Sequence, residues 1–98
     1  RDIIEGMKKE KDIIYQRFER ILSELAKRPE GEELRRLQEE FRELMEAVVD
    51  FNIKNRQIAE IYGEERLVPD ITAETLERSF KSKKFGDLLS KLRRMLGK

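Results

Sequence analysis

The chain of 98 residues has no cysteine, no histidine and no tryptophan. Without cysteine there is no disulfide, no thiolate nucleophile and no sulfur-based metal site. Without histidine the commonest general base and the commonest neutral metal ligand are both missing. Only two prolines and five scattered glycines interrupt the chain, so long regular segments are expected and no glycine-rich phosphate loop can be drawn. No apolar run exceeds about four residues, too short for a membrane span. No secretory leader is visible, and a first residue of Arg is expected of a chain whose own start lies upstream. These absences predict a cytoplasmic protein with no metal, no cofactor and no catalytic residues.

What is present is charge. Charged residues make up 44% of the chain and hydrophobic ones 38%. The apolar residues are large and periodic, which separates the chain from disordered sequences. Heavy use of Lys, Arg and Glu matches the compositions of thermophile proteins and of designed helices. The net charge of +1 is unevenly distributed. Residues 1–31 hold eight cations and seven acids, a net of +1. Residues 32–70 hold six cations and eleven acids, a net of −5. Residues 71–98 hold eight cations and three acids, a net of +5. An acidic middle and a basic end predict a contact between them, within one chain or between two.

The apolar spacing predicts an all-α chain in one domain over 1–98. Ile4, Met7, Ile14, Phe18, Ile21 and Leu25 recur every three or four residues, a helix over about 2–27, with Lys11 interrupting the stripe. "RPEG" at 28–31 is a turn. A second stripe of Leu34, Leu37, Phe41, Leu44, Val48, Phe51, Ile58 and Tyr62 predicts a helix over about 32–62, closed by Gly63. The short link makes these two helices antiparallel neighbours. After a connector at 63–71, Thr72 reads as an N-cap, with Ile71 and Leu76 stapled across it, and opens a helix over about 72–81. A basic amphipathic helix over about 86–96 follows a break near 81–86. The expected architecture is an elongated three-helix bundle built on a long antiparallel hairpin, with its third stretch broken.

Polar residues interrupt each stripe. With facing residues on the two long helices summing to roughly 60, Lys8 falls opposite Asn52 and Glu5 opposite Asn55. A third stretch returning along the second helix brings Ser82 to Asn52 and Ser79 to Asn55. Such a layer reads either as a register device or as a cationic pocket for an anion or a partner's carboxylate.

Three short resemblances bear on function. "FNIKNRQI", at the end of an acidic helix, resembles the N-x-x-N helix of flagellar export chaperones over about ten residues, which implies binding to partner helices. "NRQIAEIYG…ITAETLERSFK" is similar to a helix-turn-helix, but its connector of about nine residues exceeds the three or four of a true turn. An all-helical site of Arg, Lys, Glu and Gln looks like that of helical chorismate mutases, whose first-helix arginine pattern is not found in "KEKDIIYQRFERIL".

The C-terminal "KSKKFGDLLSKLRRMLGK" places Phe85, Leu88, Leu89, Leu92, Met95 and Leu96 on one face, among seven cations. A full apolar face favours protein contact, either with the chain's own hairpin, where Leu88, Leu92 and Met95 would complete the core, or with a partner. The expected function is therefore a non-enzymatic helical interaction, assembly or chaperone-type module. Its partner-binding residues would be Phe85, Leu88, Leu92, Met95 and Leu96, rimmed by Arg93 and Arg94, and its partner a second copy or another protein. The alternative is nucleic-acid binding through Lys81, Lys83, Lys84, Arg93 and Arg94. A small helical enzyme acting on an anionic substrate comes next. A membrane-surface role is disfavoured, since Phe85 is the tail's single aromatic.

Overall fold

The computed structural model describes residues 2–63 and 68–80, together with Asp87, Ser90, Lys91 and Arg94. Two long helices dominate, α1 (Asp2–Ala26) and α2 (Gly31–Ile61), followed by the short α3 (Ala73–Ser79). No strand occurs among the described residues. The molecule measures 47 × 24 × 23 Å, and its long dimension is that of α2, whose 31 residues rise about 46 Å. No helix among the described residues is long and apolar enough to cross a membrane.

The expected all-α hairpin is present and its register is explicit. Phe18 meets Phe41 edge-on at 5.9 Å, Arg20 pairs with Glu40 at 2.6 Å, and Glu10 pairs with Lys54 at 2.9 Å. Partners on α1 fall as partners on α2 rise, so the helices are antiparallel. Both ion pairs are well exposed to solvent, where such pairs add little. Cohesion comes from the apolar seam. Met7, Ile14, Phe18, Ile21, Leu22 and Leu25 of α1 pack with Leu37, Phe41, Leu44, Val48 and Phe51 of α2 in one buried cluster.

The turn holds two left-handed residues, Gly31 at φ 59° and Arg28. α1 ends at Ala26, and Arg28, not a glycine, takes the left-handed conformation at φ 59° while its N–H donates to the Leu25 carbonyl at 2.9 Å. Pro29 disfavours a helical Arg28, which stops α1 there. A left-handed non-glycine residue costs about 1–2 kcal/mol, and glycine's greater freedom in the unfolded chain offsets about 0.5–1 kcal/mol of that. The exposed Arg28→Gly variant should therefore gain up to about 1.5 kcal/mol and melt up to about 12 °C higher than the parent; a lower melting temperature would refute the strain assignment. At the other end of α2, Gly63 at φ 67° terminates the helix as expected, donating to the Glu60 carbonyl at 3.1 Å. Tyr62 is half exposed there, and Ala59 takes the buried place in the stripe.

Thr72 caps α3. Its hydroxyl accepts from the Thr75 amide, and the Thr75 hydroxyl accepts from the Thr72 amide, a reciprocal capping box. Ile71 and Leu76, on either side of the cap, are both buried in the main cluster. With seven residues, α3 is shorter than the expected 72–81. It stops at Ser79, and Phe80 has left helical geometry at φ −101°, ψ 76°. The half-buried Phe80 ring lies 6.2 Å from that of Tyr15 on α1. Thus α3 starts beside α2, at the Asn52 level, and ends against α1. Beyond it, Asp87, Ser90, Lys91 and Arg94 have helical backbone and exposed side chains.

Candidate functional site

Two features of α2 stand out, one buried and one exposed. The buried feature is a pair of asparagines one turn apart. The Asn52 carboxamide pairs with the Ile71 backbone as a strand neighbour would, donating to the Ile71 carbonyl and accepting from the Ile71 amide, both at 2.9 Å. Asn55, fully buried, donates through Nδ2 to the Val68 carbonyl at 2.7 Å and to Asp70 Oδ1 at 2.8 Å. Its Oδ1 has no hydrogen-bond partner among the described residues. A connector held against a helix must satisfy its own backbone groups, and side-chain amides can both donate and accept. The asparagines supply those bonds and fix the start of α3 against α2.

The polar residues expected to share one level differ in burial. Asn55 is buried and Asn52 partly so, but Lys8, Glu5 and Ser79 are all exposed. Ser82 lies outside the described residues. The asparagines bind the connector, which the sequence register did not bring to this level.

The exposed feature is a row of large apolar side chains four residues apart on α2. Met45, Val49 and Ile53 are 38%, 53% and 48% exposed. They lie about 40° apart around the helix. The row opens into an apolar groove of about 180 Å³ between α2 and α3, walled by Phe41, Met45, Val48, Ile71, Ala73 and Leu76. Along its solvent side run four exposed acids, Glu39, Glu43, Glu46 and Asp50. Their spacing keeps them within a strip about 60° wide. Arg42 and Arg56 stand at the two ends of the row, both exposed. The sequence signal for this row was the excess of apolar residues over one stripe, visible where Val49 follows Val48 and Ile53 follows Phe51.

Of the partner-binding residues expected in the tail, Phe85, Leu88, Leu92, Arg93, Met95 and Leu96 lie outside the described residues. So do Lys81, Lys83 and Lys84 of the nucleic-acid alternative. Arg94 is described, helical and exposed. Among the described residues no group of three or more Asp or Glu side chains is placed to hold a metal ion. The chain matches no family model, and no curated protein or solved structure is significantly similar to it.

Proposed function

We propose that the chain is a helical interaction module that acts by binding and not by catalysis, and that it takes up a basic amphipathic helix on α2. The observation that supports this is the apolar row Met45, Val49 and Ile53, open to solvent and continuous with the groove beside α3. A partner helix with apolar residues at i, i+3/i+4 and i+7 would fill row and groove. Burial of those side chains supplies affinity. The acids at 39, 43, 46 and 50 select cations on the partner's rim, set its register and raise the association rate. The same acids repel phosphate backbones, which makes this face unsuited to nucleic acid.

The test uses fluorescent helical peptides of matched length with basic, acidic or neutral rims, titrated into the full chain and read by anisotropy. The basic peptide should bind tightest. Val49→Asp should weaken it at least about 30-fold, the loss expected for a central apolar contact. Modest salt dependence is expected, since the apolar face carries most of the affinity. Equal binding of all three peptides, or of none, would refute the reading.

A further inference from the structure

We infer that the occupant of this surface is the C-terminal segment, residues 85–96, of a second copy of the chain, exchanged reciprocally about a two-fold axis. The inference rests on the reading of row and groove as a helix-docking surface and names its partner.

Three observations carry it. The first is charge. The segment 71–98 has a net charge of +5 and the segment containing the row, 32–70, a net of −5. The cations Lys91 and Arg94 are exposed on helical backbone, as are the acids Glu46 and Asp50. The second is length. From Phe41 in the groove to Ile53 the surface runs about 18 Å, and a helix with apolar residues from Phe85 to Leu96 presents a face of about 17 Å.

The third is direction. The row faces away from α1, because Lys54 and Glu40, which pair with α1, lie about 140–180° around α2 from Val49. The chain, however, leaves α3 on the α1 side, where Phe80 meets Tyr15. Exit and row thus lie on different sides of the hairpin, and a second copy's segment can meet the row without crossing it. A two-fold exchange forms the contact twice. That doubling suits the size of the surface, since stable interfaces bury about 1,200–2,000 Å² in total.

Sedimentation equilibrium of the full chain, alone and in mixtures, tests this. The wild type should form a dimer of the 11.8 kDa chain. Val49→Asp, which breaks the receiving surface, and Leu92→Asp, which breaks the donated one, should each weaken the dimer at least about 30-fold. Mixed in equal amounts, the two variants should associate again, because one intact row then meets one intact segment. The double variant Lys91→Glu/Arg94→Glu, at exposed positions, should weaken the dimer without lowering the melting temperature of the monomer.

A wild type that remains monomeric while the basic peptide still binds would overturn the exchange and leave the docking surface standing. Loss of both would overturn both. A dimer broken by Val49→Asp but by neither tail variant would put another occupant, the partner's own row, on the surface. A Leu92→Asp chain that no longer melts cooperatively, beside a wild type whose melting is independent of concentration, would place the segment in its own chain's core and overturn the proposal.

Discussion

Phe18→Ala is expected to destabilise the protein by about 3–5 kcal/mol, the range for removing a buried aromatic side chain. At this chain length that lowers the melting temperature by at least about 12 °C. Phe18 has no exposed surface. It stands edge-on to Phe41 across the hairpin and also lines the floor of the groove beneath α3. Its removal therefore loosens both the α1–α2 seam and the footing of α3. Set against a typical domain stability of about 5–15 kcal/mol, the loss removes a large fraction of the whole. Ile13→Ala is the control. Ile13 is on the same helix and mostly exposed, so its truncation should stay within about 0.5 kcal/mol of the parent. Thermal or urea melts of the two variants suffice, and equal melting temperatures would show that Phe18 does not occupy the centre of the packing.

The second large effect is expected at Asn55. Asn55→Asp hardly changes shape but replaces a donor by an acceptor at neutral pH. The Val68 carbonyl and the Asp70 carboxylate, which now receive hydrogen bonds, would face a carboxylate oxygen in a site sealed from water. A buried charge without a partner costs about 3–5 kcal/mol. Asn55→Ala, which deletes the bonds without adding charge, should cost less, about 1–3 kcal/mol. The damage should be local. In Asn55→Asp the Ile71 amide, held by Asn52, should lose hydrogen-exchange protection, while Leu44 in the hairpin seam keeps most of its own. Unchanged exchange at Ile71 would mean that Asn55 does not hold the connector in place.

The hairpin was legible in the sequence because one buried seam imposes one period. The stripe from Leu37 to Phe51 is the stripe found buried, and the caps at Gly63 and Thr72 act as their chemistry dictates. Two things were less legible. The asparagine partners could not be read, because the connector bonds through its backbone, and backbone groups look alike at every residue. The exposed row was legible only as a surplus of apolar residues, because hydrophobicity alone does not separate the side of a helix that meets the core from the side left open. Met45, Val49 and Ile53 are as apolar as their buried neighbours. Only the positions of α1 and α3 reveal that neither covers the row. The short α3 has a strong start in its capping box, but seven residues are too few to hold a helix without tertiary support.

The asparagine clasp also has a consequence for the order of folding. α1 and α2 are joined by a very short turn, so their contacts nearest Pro29 close small loops and form early. Pairing can then spread from that end toward Met7 and Phe51. The clasp lies near the far end of the hairpin, and its bonds span 13 to 19 residues, so they can be made only after α2 has become helical there and aligned its two carboxamides. Substitutions at Asn52 and Asn55 should accordingly speed unfolding and leave the folding rate nearly unchanged. The third element is thus a late addition to the fold, and also the part that can be released first.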